Sequence, residues 1–121
     1  YAEFVHARNH LRELGMIGDV LNNVQQAMDG ETFEVEEMYP VYNEIAKLQN
    51  EKGAERSTHY ALSAEKIHVK MYKKAKELAE NGKDYEDTSI HVCPVCGYTV
   101  EGNAPEICPI CGADGNSFKK F

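Results

Sequence analysis

Two Cys-x2-Cys pairs, Cys93-Pro94-Val95-Cys96-Gly97 and Cys108-Pro109-Ile110-Cys111-Gly112, constrain this chain more than any other feature. Each pair can make a tight turn that presents two thiolates, and two such turns close a tetrahedron around one metal ion. The lobe beyond residue 90 is too short to bury the apolar surface that folding requires, so a metal would supply much of its stability. Zinc and a single iron suit four thiolates alike. The glycine after each pair leaves backbone amides free to donate to sulfur, an arrangement that helps set an iron-sulfur potential. Tyr98, Phe118 and Phe121 are expected to form the lobe's small core.

Before the cysteines the chain is rich in helix formers. A first helical stretch runs from Tyr1 to about Leu14 and stops at Gly15; it is already under way at its first residues, so a preceding segment is expected to have been removed or to come from another polypeptide. Gly18-Asp19 then opens a second stretch, in which Val20, Val24, Ala27, Glu31, Glu34, Met38, Val41, Ile45 and Leu48 recur at three- and four-residue steps. Gly30 and Pro40 each weaken or kink an interior turn. The expectation is one long kinked helix ending near Lys52-Gly53, with a break at Gly30 as the alternative. The third stretch, from about Ala54 to Glu80, ends at an Asn81-Gly82 cap. The expected division is a helical domain over 1–82, a linker over 83–90 and a cysteine domain over 91–121.

Carboxylates and imidazoles recur on the helical stripes. Glu3-x-x-His6 and Glu65-x-x-His68 flank Glu34-x-x-Glu37, and residues three apart on a helix share a face. In the third stretch Glu65 and His68 lie on the stripe with Ala61, Tyr72, Ala75 and Ala79, which should be buried. A buried carboxylate needs a partner, and a metal is one. Surface glutamates with incidental histidines are the competing reading. What favours the metal is the order: di-metal carboxylate bundles use one Glu from each of two helices and a Glu-x-x-His from each of the other two. Oxygen-rich ligands with two imidazoles suit iron or manganese. Tyr39 and Tyr42 stand one turn past Glu34/Glu37, and Tyr42 is the preferred candidate for a hydroxyl bonded to a ligand carboxylate. His10, His59 and His91 are read as surface or packing residues.

Composition narrows the function classes. The chain has 20 acidic and 13 basic side chains, a net charge of −7, which argues against a nucleic-acid surface. No apolar run approaches the roughly 18 residues of a membrane span, and a cytoplasmic location is expected. There, two disulfides would be the unusual use of four cysteines.

Taken together, Glu3-x-x-His6, Glu34-x-x-Glu37-Met38-Tyr39-Pro40, Glu65-x-x-His68 and the cysteine knuckles resemble rubrerythrins over essentially the whole chain. The resemblance implies a mainly α fold: a ferritin-like four-helix bundle holding a non-haem diiron centre, joined to a rubredoxin-like lobe with one iron bound by Cys93, Cys96, Cys108 and Cys111. The diiron ligands it implies are Glu3, His6, Glu34, Glu37, Glu65 and His68. It further implies a peroxidase that reduces hydrogen peroxide to water in oxidative-stress defence, with electrons passing from NADH through a reductase and rubredoxin. Glu37 and His6 would exchange at one iron with oxidation state, and Tyr42 would assist.

The first bundle helix and its Glu are missing from this pattern, and the connection from His6 to Glu34 is short. The bundle is therefore expected to be completed by another segment, a separate N-terminal chain or a second protomer, in a homodimer or higher oligomer. Two other functions stay open: a non-catalytic zinc-ribbon and helical interaction protein, and a ferroxidase-like iron-oxidising protein.

Overall fold

The second and third helical stretches fold back on one another as a long antiparallel hairpin. In the computed structural model, which describes residues 1–85 and 88–121, α2 (Val20–Phe33) begins at Asp19, whose carboxylate accepts the Asn22 N–H at 2.9 Å. This is the ordinary chemistry of an N-cap. Gly30 passes through the helix without a break. Pro40 does leave a mark: it has no N–H to give, and its ring crowds the carbonyl four residues back. The chain widens there into a π-helical turn, Glu34–Met38, before α3 (Tyr39–Leu48) resumes with Pro40 in its first turn.

The reversal comes earlier than expected. Asn50 adopts φ 55°, a left-handed conformation that asparagine tolerates better than most residues. Lys52 and Gly53 consequently open α4 (Lys52–Glu80) and do not end the preceding helix. The 29 residues of α4 span about 44 Å. At its far end Gly82 turns the chain at φ 65°, with the N–H groups of Gly82 and Lys83 donating to Ala79 O and Leu78 O at 3.0 and 2.9 Å.

α4 packs along both α2 and α3. Asn43 donates through Nδ2 to Glu55 O and Thr58 Oγ1, each at 2.8 Å, and Lys76 Nζ donates to Gln25 Oε1 at 2.5 Å. Ala46 and Ala64 are the buried apolar residues of the hairpin among the described residues, and small side chains let helices approach closely; Leu21, Phe33, Val41, Ile45 and Leu48 remain exposed. The hairpin is thus half of a four-helix bundle with an open apolar face. α1 (Ala2–Glu13) packs on no other described element and leaves Phe4, Leu11 and Leu14 exposed.

The cysteine lobe is built on three short antiparallel strands, β1 (Ile90–Val92), β2 (Thr99–Glu101) and β3 (Lys119–Lys120), in the order β2-β1-β3. Ile90 pairs with Glu101, Val92 with Thr99, and His91 with Lys120. Gly115 is obligatory: a Cβ on it would lie 1.9 Å from Pro105 O. Tyr98 and Phe118 meet edge to face at 6.2 Å against the cysteines, as expected, but Phe121 is 74 % exposed. Tyr60 of α4 supplies a further aromatic contact. The expected linker over 83–90 includes Glu86 and Asp87, which lie outside the described residues.

Candidate metal centres

The four cysteines converge as their spacing requires. Gly97 at φ 80° and Gly112 at φ 76° complete two matching turns, in which Gly97 N donates to Cys93 O at 3.0 Å and Gly112 N to Cys108 O at 2.9 Å. The four Sγ atoms lie within 4.8 Å of one another, with Cys93–Cys111 at 3.6 Å and Cys96–Cys108 at 3.5 Å. Disulfide sulfurs sit near 2.05 Å, so this is a tetrathiolate cage of free thiols. Burial pushes the Cys96 thiol up despite the Tyr98 amide that donates to it. Burial also opposes ionisation of Cys108, but the amides of Cys111 and Ile110 outweigh it and bring that thiol down to about 7. Amide donation thus favours the thiolate form of Cys108, the form that binds a cation.

A second cluster forms where α2 meets α4. Glu31, Glu65 and His68 each offer a ligand atom within 4.8 Å of the others. His68 Nδ1 lies 2.6 Å from Glu65 Oε2 and 3.7 Å from Glu31 Oε2. Glu31 Oε2 is buried without a hydrogen-bond partner. Burial first, then the neighbouring Glu65 and Glu34 carboxylates, push Glu31 up to about 8. Carboxylates this close in a partly buried site hold a proton or a cation between them. A cavity of about 440 Å³ opens beside the cluster, lined by Glu31, His68, Met71, Tyr72, Ile90 and Thr99 among others.

The expected ligand set meets this geometry unevenly. Glu65 and His68 face inward together. Glu34 stands one turn beyond Glu31, near enough to raise both Glu31 and Tyr39. Glu37 is exposed and outside the cluster. The reason is the π turn: its i→i+5 hydrogen bonds put more residues in each turn, so Glu37, three positions on, falls short of the face Glu34 occupies. Glu31, inside regular helix, keeps the shared face that the spacing rule assumes. It was legible as a polar residue on the stripe of Val24 and Ala27.

The tyrosine assignment shifts in the same direction. Burial first, then the Glu34, Glu65 and Glu31 carboxylates, raise the Tyr39 hydroxyl. Tyr42 is 52 % exposed and packs edge to face on Tyr39 at 6.5 Å. Glu3 and His6 are not brought to the cluster within this chain. Among the described residues they meet each other, His6 Nδ1 to Glu3 Oε2 at 3.5 Å, with both side chains largely exposed.

The two centres are joined through α4 and β2. Ala64, buried on α4, lies against Gly97, 3.6 Å from where a side chain there would begin. Lys74 Nζ meets Glu101 Oε2 at 2.6 Å and stands 4.6 Å over the Tyr85 ring, while the Tyr85 hydroxyl donates to Glu101 Oε1. His68 Nε2 reaches Thr99 Oγ1 at 3.0 Å.

A helical hairpin with an inward carboxylate-histidine cluster, carrying a strand-built tetrathiolate lobe, defines a two-site metalloprotein of ferritin-like plus rubredoxin-like construction. Residues 1–76 match the Rubrerythrin family and residues 91–119 the family described as Rubrerythrin, rubredoxin-like domain. The chain is similar to Rubrerythrin-2 of Clostridium acetobutylicum, 41 % identical over 135 residues that cover 100 % of this chain and 73 % of the relative. Nigerythrin of Nitratidesulfovibrio vulgaris is 34 % identical over 84 residues, 66 % of this chain and 38 % of that protein. A solved structure described as the partially reduced state of nigerythrin superposes with a TM-score of 0.77 at 28 % identity, over 87 % of this chain and 51 % of that one. The chain belongs to the rubrerythrin family. It accordingly carries a Glu/His group for a diiron site and four clustered cysteines for a rubredoxin-like iron site, the equipment of an oxidoreductase. It spans about half the length of the nigerythrin chains it matches, and no described helix is long and apolar enough to cross a membrane.

Proposed function

We propose that this protein is a peroxidase that reduces hydrogen peroxide to water with electrons relayed through the cysteine lobe. The observation that carries the reading is Glu31 Oε2: a buried, unpartnered carboxylate oxygen facing Glu65 and His68, on a hairpin against which a tetrathiolate lobe is docked. That donor set fits iron, which favours carboxylate and imidazole ligands at one site and four thiolates at the other. Glu31, Glu34, Glu65 and His68 would hold the diiron centre, and Cys93, Cys96, Cys108 and Cys111 the single iron. When bound, iron at the two sites supplies the one-electron steps by which one peroxide, two electrons and two protons become two waters.

The chain's own side chains do the rest. Glu31 and Glu65 offset cationic charge in a partly buried site between α2 and α4. The Tyr39 hydroxyl is kept protonated by burial and by the Glu34, Glu65 and Glu31 carboxylates. The cavity lined by Met71, Tyr72 and Ile90 admits a molecule as small as peroxide and offers it few polar competitors. NADH is the ultimate donor in this reading, through a reductase and rubredoxin, and the cytoplasm is its location.

Glu3 and His6 complete the ligand set when α1 seats on the hairpin of a second copy. Two features support this: α1 packs on no other described element, and the hairpin's apolar face is open among the described residues. Glu37 is left out of the set because the π turn carries it off the face that Glu34 occupies.

The test is anaerobic: the reduced, iron-loaded protein is titrated with hydrogen peroxide and separately with oxygen. Rapid oxidation by peroxide, with two electrons lost per molecule, supports the proposal. Faster turnover of ferrous iron with oxygen would favour the ferroxidase reading, and a protein that retains only zinc would favour the interaction module.

A further inference from the structure

Thr99 belongs to the cysteine lobe, yet its hydroxyl meets the helical centre. The residue is 7 % exposed; its Oγ1 donates to Gly97 O at 2.9 Å and lies 3.0 Å from His68 Nε2. A hydroxyl has one proton. With that proton committed to the Gly97 carbonyl, Oγ1 can only accept from His68, so Nε2 must carry the ring's proton. The lone pair available to a cation is then on Nδ1, the nitrogen turned toward Glu65 Oε2 and Glu31 Oε2.

We propose that Thr99 is a positioning residue for the helical centre: docking of the cysteine lobe fixes His68 as the Nε2–H tautomer and aims Nδ1 at the carboxylates. The inference rests on the reading of Glu31, Glu65 and His68 as a metal site, which it deepens by making one lobe of the protein the orienting shell of the other. A ligating histidine commonly owes its tautomer and ring angle to the partner of its second nitrogen. Here that partner comes from thirty-one positions along the chain, on a separate lobe. Strand geometry explains how β2 manages it. Thr99 and Glu101 are two apart and share a face; the first meets His68 and the second Lys74, so both ends of the strand are held on α4. Gly97 serves twice, accepting from Thr99 and turning the chain at φ 80° beside Ala64.

The test compares the wild-type full chain with Thr99→Val, which keeps the shape and loses the hydroxyl, and Thr99→Ser, which restores it. With the thiolate site filled by zinc, Mn(II) binding at the helical site is followed by the electron paramagnetic resonance of the free ion. Thr99→Val should bind about 10- to 100-fold more weakly, the range for loss of a ligand's orienting partner, and Thr99→Ser should bind as the wild type does. In the fully zinc-loaded protein, nitrogen-15 spectra of the His68 ring should show a protonated Nε2 with slow exchange in the wild type and Thr99→Ser. Equal Mn(II) affinity in Thr99→Val, a serine variant as weak as the valine one, or a protonated Nδ1 in the wild type would each overturn the proposal. If Glu65→Ala binds Mn(II) as the wild type does, the metal-site reading itself fails; the ring spectra then still decide whether Thr99 sets the tautomer.

Discussion

Lys74 of α4 and Glu101 of β2 form an ion pair at 2.6 Å, and Tyr85 closes on both, its ring beneath the ammonium and its hydroxyl on the carboxylate. Three segments far apart in sequence thus share one contact, and the cysteine lobe is tied to the helix that carries Glu65 and His68. Lys74, through its hydrogen bond, and then Tyr85 hold the Glu101 carboxyl below the usual carboxylate range. A depressed carboxylate stabilises the docked form above its ordinary pKa and loses that contribution as pH falls through the lowered value.

Removing this pair should loosen docking without unfolding either lobe. In Lys74→Met, nuclear Overhauser contacts between Ala64 and Gly97 should weaken while the tetrathiolate spectrum stays unchanged. The pair is partly exposed and salt should weaken it further. Unchanged contacts in Lys74→Met would show that Thr99 and the Tyr60 packing suffice.

The register of the carboxylate site gives a sharper comparison. Glu31→Ala and Glu65→Ala should each lose bound iron and more than about 100-fold of peroxide turnover, exceeding the 10- to 100-fold cost of losing an outer-shell partner. Glu37→Ala should keep both within about twofold. Iron analysis alongside initial rates measures this, and a large loss in Glu37→Ala would return that residue to the ligand set.

Glu31 also makes stability depend on pH in an unusual sense. Its folded-state pKa, about 8, lies above the roughly 4.3 of an unfolded glutamate, so the folded chain keeps a proton that the unfolded chain releases. With zinc in the thiolate cage and no ion in the helical site, stability from this group is fully present below about pH 4.3 and declines as pH rises toward 8. Thermal melts between pH 5 and 8 should show that decline in the wild type and a flatter profile in Glu31→Gln.

The cysteine lobe should depend on its metal and on one glycine. Structural zinc in small domains is worth about 10–16 kcal/mol, so Cys108→Ser should abolish strand dispersion in the lobe while α4 remains helical. Gly115→Ala forces a methyl against the Pro105 carbonyl and should cost at least the 1–3 kcal/mol typical of overpacking; chelator sensitivity of the lobe reports it.

If α1 completes the site in trans, chains inactivated at different places should rescue one another. A mixture of His6→Ala and Glu65→Ala proteins, unfolded and refolded together, should regain about a quarter of wild-type turnover in random assembly of two-site dimers, a proportion that follows from pairing alone. Each variant refolded by itself should stay inactive.

How much of this was visible in the sequence differs from element to element. The cysteine cage was, because a Cys-x2-Cys turn is closed by its own glycine and two such turns need only meet. Glu65 and His68 were, because they lie on uninterrupted α-helix, where a spacing of three means a shared face. Glu37 and Tyr42 are exposed in the structure, and the π turn just before Pro40 is the reason for Glu37, because periodicity for one kind of helix fails across another. Glu31, on regular helix, is the glutamate that clusters with Glu65 and His68, and Tyr39 is the tyrosine whose hydroxyl those carboxylates raise.

Local chemistry along the chain was therefore enough to specify the two ligand types, the long helices and the end of α4 at Asn81-Gly82. Only the tertiary structure decided which glutamates share a face, that α1 lies apart from the hairpin, and that Thr99 of one lobe reaches His68 of the other. Such contacts depend on the relative rotation and approach of elements far apart in sequence, which packing sets and residue spacing does not encode.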